Sequence, residues 1–176
     1  MHPEIEAAFN DLHHLREEYF SSPIFINELN KHVAQDKWSV GEVIYHCYLL
    51  LKLTRQFTKY YVPIAKHCVA VIPNRSSYNN DMHNIYASKT MKAPAILNPK
   101  LNVEYRLEDL FDLLEAETEL LKEQVGLLND QQVQKIRYPD PVPKYPNVVQ
   151  VVKLLYIHEK HHYEVVSARN EQYHRD

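Results

Sequence analysis

The sequence predicts an all-α protein, and specifically a four-helix bundle with a long crossover between its second and third long helices. Three observations carry this. Glycine is scarce, at 2 in 176 residues, whereas sheet proteins spend glycine on tight turns and bulges. Four segments repeat apolar residues at helical spacing. A segment of nearly forty residues between the second and third of them has no such period, which suits a bundle with one long connection.

The first periodic segment runs from Pro3 to Tyr19, with Ile5, Ala8, Phe9, Leu12 and Tyr19 on one face. A short apolar stretch, Ile24 to Leu29, then breaks near Asp36. The second helix starts at a capping box: Ser39 can accept from the amide of Glu42, whose side chain can return to the cap amide. Val43, Cys47, Leu50, Leu53 and Phe57 form its stripe, and Pro63 marks an end or a kink. From His67 to Tyr105 the period fades among Pro73, Pro94 and Pro99; a short helix is expected near Met82 to Lys89, close to the mouth of any site. The third helix spans Leu107 to Leu128, aligning Leu110, Leu114, Leu121, Val125 and Leu128. A proline-rich loop follows, and Asn147 can cap a fourth helix that reaches Gln172. With no internal repeat and an ordinary length, residues 1–176 read as a single domain.

Composition narrows the function classes. Formal net charge is -3 with no long run of one sign, which argues against a nucleic-acid surface. No apolar run approaches the ~20 residues that cross a bilayer, and the N-terminus lacks a signal-peptide core. Two cysteines, Cys47 and Cys68, are too few for a disulfide framework, so a cytoplasmic protein with reduced thiols is expected. Cys47 itself reads as a core residue.

The 11 histidines are numerous for this length. On a helical wheel, His158 and His162 fall on the same face as Val148, Val151, Leu155 and Val166, and four residues apart they can share one ion. His161 falls at or beyond the edge of that face and reads as exposed, while His2, His32 and His174 read as solvated. His46 falls on the stripe of the second helix with Val43 and Leu50. Burying three imidazoles is costly unless each is hydrogen-bonded or ligated. One divalent ion on His46, His158 and His162 satisfies all three, and three protein ligands leave a coordination position open, as catalytic sites do. A lone core histidine is more often a packing residue; the i,i+4 pair is what favours a metal. Glu159 could face the site as a base or pair with a cation elsewhere, and the second is expected. Tyr45 and Tyr163, next to ligands in sequence, are expected to line a pocket.

At these residues the chain resembles the DinB/YfiT-like superfamily of metal-dependent enzymes. The matching pieces are Trp38-Ser39-Val40-Gly41-Glu42-Val43-Ile44-Tyr45-His46, the terminal His158-Glu159-Lys160-His161-His162 and, less specifically, Lys92-Ala93-Pro94. The resemblance implies a four-helix bundle, a tri-histidine Zn or Ni site and a homodimer. It also implies activity on a small molecule, with low-molecular-weight thiols in S-transfer or isomerisation. Family members often follow the last ligand with Arg-Gly-Gln, where this chain has Tyr163, Glu164 and Val165. That departure spares the ligands and leaves the substrate open. A metal at such a site can act as a Lewis acid or lower the pKa of a water or thiol, so a hydrolase is an alternative to the transferase. A non-catalytic metal-binding or interaction bundle is a third reading. His158 to His162 also spells H-E-x-x-H, the zincin protease signature. The few residues after His162 hold no glycine and no turn to return a third ligand, which argues against it.

Overall fold

The computed structural model describes residues 1–34, 36–73, 78–87, 93–101 and 103–175. Among them the chain is all-helical, with six α-helices: α1 Pro3–Phe20, α2 Pro23–Asn27, α3 Val40–Val69, α4 Leu107–Gly126, α5 Asp130–Lys135 and α6 Val148–Tyr173. A 3-10 turn, Ala95–Leu97, lies in the connection between α3 and α4.

Local chemistry sets the helix ends. His2 caps α1 by accepting from the Glu4 amide, Pro3 opens the helix, and Glu4 and Glu6 sit in the first turn, where acidic side chains complement the helix dipole. Ser39 and Glu42 form the expected capping box on α3. Asn147 and Gln150 form another on α6, and Asn129 with Gln132 a third on α5. Pro63 does not end α3, which runs on to Val69. A proline forfeits one backbone bond and crowds the preceding turn, but Val62, Ala65 and Val69 are buried and hold the last two turns against the core. The short helix expected near Met82 to Lys89 does not form over its described part: residues 82–84 have no regular structure and 85–87 make a turn. The rest of that expectation, Ser88 and Lys89, lies outside the described residues.

The four long helices pack pairwise, α1 on α6 and α4, and α3 on α4 and α6. Their shared core includes Ile5, Phe9, Leu51, Leu110, Leu114, Leu121, Val152 and Leu155. The stripe expected on α3 holds at Val43 and Cys47, which are buried, but not at Leu53 and Phe57, which are 38% exposed. They lie over the apolar groove that α3 and α6 form with Tyr138 and Pro146.

One polar cluster crosses the core. Arg16 of α1 is fully buried. It donates through Nε and Nη2 to the two Glu159 oxygens at 2.9 and 2.6 Å, and through Nη1 to Glu115 Oε1 and Thr118 Oγ1 at 2.8 Å each. The Tyr163 hydroxyl completes the set by donating to Glu159 Oε2 at 3.1 Å. Burial works against the Arg16 charge, but the Glu159 carboxylate more than offsets it and raises the guanidinium above its ordinary value. No helix among the described residues is long and apolar enough to cross a membrane.

Candidate metal centre

His46 lies in the second turn of α3, and His158 and His162 lie midway along α6, where the two helices pack. The capping box fixes where α3 starts and therefore the direction in which His46 points. The four-residue spacing on α6 stacks His158 and His162 on one face. The result is a cluster in which one ring nitrogen from each of His46, His158 and His162 lies within 4.8 Å of the others. His46 Nε2 and His158 Nε2 are 3.2 Å apart, and the ring centroids are separated by 4.5 to 5.0 Å. Two nitrogens on one tetrahedral zinc ion, each bonded at about 2.0–2.1 Å, stand roughly 3.3 Å apart.

The hydrogen bonds fit a ligand set. His46 Nδ1–H donates to the Leu97 carbonyl at 2.7 Å, because a carbonyl can only accept. That fixes the tautomer and leaves the His46 Nε2 lone pair facing the cluster, the arrangement that orients imidazole ligands in metal sites. A purely hydrogen-bonded core set accounts for the rings less well. His158 could donate to His46, but His162 makes no hydrogen bond to a described residue. Burial pushes all three imidazoles below their ordinary pKa; for His158 and His162 the neighbouring imidazoles add to it, and His162 falls to about 3. All three are therefore neutral at pH 7, as a metal ligand must be.

Aromatic rings flank the cluster. Trp38 sits 5.1 Å from the His46 ring. Tyr86, from the segment between α3 and α4, packs edge-on to His158 at 5.5 Å and stacks on His161 at 5.2 Å. That segment thus reaches the site twice, through Tyr86 and the Leu97 carbonyl, as its expected place near the mouth requires. His162 is half-buried and opens into a cavity of about 200 Å³, which Lys37, Trp38 and Arg169 also line.

The other expectations divide. Glu159 pairs with a cation elsewhere, as expected, and does so in the core: it is 1% exposed and held by Arg16. The H-E-x-x-H reading therefore lacks its base, and the third histidine comes from upstream on α3. His161 is half-buried under Tyr86 rather than exposed. Tyr45 and Tyr163 do not line the site. Tyr45 packs against Tyr48 and Tyr105, and Tyr163 is fully buried among Tyr19, Phe20 and Phe25. His2 is half-buried as a helix cap, and His174 pairs with Glu28. Cys47 is core, and burial, aided by the Glu159 charge, raises its thiol well above the ordinary value. Tyr86 falls in the Met82 to Lys89 stretch expected near the mouth, but nothing in the sequence singles out its ring or the Leu97 carbonyl, since neither belongs to a periodic segment.

A family model described as the DinB superfamily matches residues 8–166 of the chain. No curated protein and no solved structure matches it significantly. With nearly its whole length matched, the chain belongs to the DinB superfamily.

Proposed function

Starting from membership of the DinB superfamily, we propose that this protein is a metal-dependent enzyme built as one four-helix-bundle domain. It holds one divalent ion, zinc or nickel, on His46, His158 and His162. The observation that carries the reading is the convergence of three neutral imidazoles from two helices, within 4.8 Å of one another, beside a cavity. Imidazole donors suit Zn and Ni. When bound, the ion supplies Lewis acidity and lowers the pKa of a thiol or water that reaches it.

The chain's own residues supply orientation and enclosure. The Leu97 carbonyl locks the His46 ring, and α6 sets the spacing of His158 and His162. Trp38 and Tyr86 wall the cluster with apolar surface. Of the two chemistries open to such a site, S-transfer from a low-molecular-weight thiol to a small electrophile is favoured. Hydrolysis generally draws on a carboxylate or imidazole base beside the metal. Here Glu159 is committed to Arg16 and the three clustered imidazoles serve as ligands. His161, whose ring lies 5.4 Å from that of His162, is the base left for hydrolysis, and the preference for S-transfer rests on the family resemblance. The family resemblance supports a homodimer as the working form.

The test is a screen of small electrophiles with cysteine, glutathione and bacillithiol, with and without chelator. Thiol-dependent turnover that chelator abolishes is expected. Turnover of esters or amides without thiol, still lost with chelator, overturns the transferase reading in favour of a hydrolase. No turnover under any condition points to a non-catalytic bundle.

A further inference from the structure

The cavity beside His162 has a charge pattern that the metal cluster does not use. Arg169 follows His162 by seven residues on α6, two turns on and on nearly the same face. Its Nη2 donates to the Trp38 carbonyl at 2.6 Å, which fixes the guanidinium at the cavity wall. Its Nε is buried and meets no partner among the described residues. Arg16 and Arg55 show the contrast, because each is clamped by a carboxylate through two nitrogens. Arg169 has a backbone carbonyl in place of a carboxylate, and burial, uncompensated, lowers its pKa. Lys37 lines the same cavity with no ion pair to a described residue, and Asp36 is the third charged group there. The local balance is one net positive charge, which matches a monoanion better than a dianion.

We propose that the small molecule bound at the tri-histidine cluster carries a carboxylate, which Arg169 and Lys37 receive in this cavity while its other end reaches the cluster. This rests on the metal-site reading above and adds a substrate class to it. A guanidinium held in place and short of a partner is a prepared carboxylate receptor, because planar N–H donors match the carboxylate edge. A partly buried location keeps the interaction from being screened away. The Trp38 carbonyl contact then does two things: it seats the loop before α3 and aims the guanidinium.

The experiment uses the full chain loaded with Co(II), titrated with 4-mercaptobutyrate and with neutral 4-mercapto-1-butanol, reading the cobalt d–d spectrum. The two probes match in length and differ in the carboxylate. The wild-type protein should bind the carboxylate thiol roughly ten- to a hundredfold more tightly, the range for one charge-assisted hydrogen bond. Arg169→Gln should bring the two to within about twofold by weakening the carboxylate thiol alone, and Arg169→Lys should restore part of the preference. Lys37→Gln, at an exposed position, provides a variant that does not touch the Trp38 carbonyl and should reduce the preference by a smaller factor. Equal affinity for both probes in the wild type, or an undiminished preference in Arg169→Gln, overturns the proposal. Should the cobalt spectrum be intact but respond to neither thiol, the transferase reading falls. Glutarate against butyrate then decides the carboxylate site, with a glutarate preference lost in Arg169→Gln supporting it and equal binding overturning it. Failure to form any cobalt complex overturns the metal site and this inference together.

Discussion

Each histidine of the cluster has a different support, and substitutions should separate them. His46 is oriented from outside α3 by the Leu97 carbonyl, whereas His158 and His162 are oriented by their own helix. Alanine at any of the three should remove most of the bound metal, measured by elemental analysis after gel filtration. His161→Ala should keep the metal, because its ring stacks on Tyr86 and is not one of the three clustered imidazoles. Glu159 makes a sharper case. Removing it takes from the buried Arg16 guanidinium its bidentate partner and leaves it only Glu115 and Thr118, and breaking one partner of a buried pair costs about 3–5 kcal/mol. Glu159→Ala should therefore lower the unfolding free energy by roughly that much in denaturant titration, while its metal content stays near that of the wild type. Loss of metal without loss of stability would return Glu159 to the site and revive the protease signature.

At the level of elements, what was legible in the sequence was what repeats. Four apolar stripes placed the four long helices, except that α3 runs past Pro63 to Val69, and the Ser39–Glu42 box and Asn147 marked two starts that the structure confirms. The helices α2 and α5 span five and six residues, too short for a period to show. The misplacement of Tyr163 and the burial of the Glu159 pair in the core have one geometric cause. A single-face reading assumes one buried side, but α6 packs against both α1 and α3, so two of its faces are buried. His158 and His162 face His46 on α3, while Glu159 and Tyr163 face Arg16 and Tyr19 on α1. Tyr86 lies in an aperiodic stretch, where no pattern ties a residue to a place. The entry to α3 can be tested directly. A Cβ at Gly41 would sit 3.0 Å from the Tyr105 ring and 3.1 Å from the Leu29 carbonyl, so Gly41→Ala must displace one of them. A loss of about 1–3 kcal/mol is expected, as for overpacking. Ser39→Ala removes the cap and should cost about 1 kcal/mol. Because the box sits two turns from His46, both variants should also weaken metal binding.

For the whole molecule, the apolar core extends along four long helices well beyond the buried His46 and His158, so the fold should survive chelation. Far-ultraviolet circular dichroism should be unchanged by chelator, while the melting temperature falls by the amount that ligand linkage gives. The metal-free protein should also lose stability in acid. Its clustered histidines have pKa values lowered in the folded state, with His162 at about 3, against about 6.5 when unfolded. Between those values the unfolded chain binds protons that the folded chain does not, so stability falls as pH drops below about 6.5. A melting temperature that rises between pH 7 and pH 5 would contradict the neutral, buried placement of the cluster. The central claim, that three imidazoles on two helices hold one ion, is tested most directly by the metal content of untagged protein purified without added metal. About one zinc or nickel per chain in the wild type and almost none in His46→Ala is the predicted result. A wild-type chain that stays metal-free even after reconstitution, or a His46→Ala chain that holds as much metal as the wild type, would contradict it.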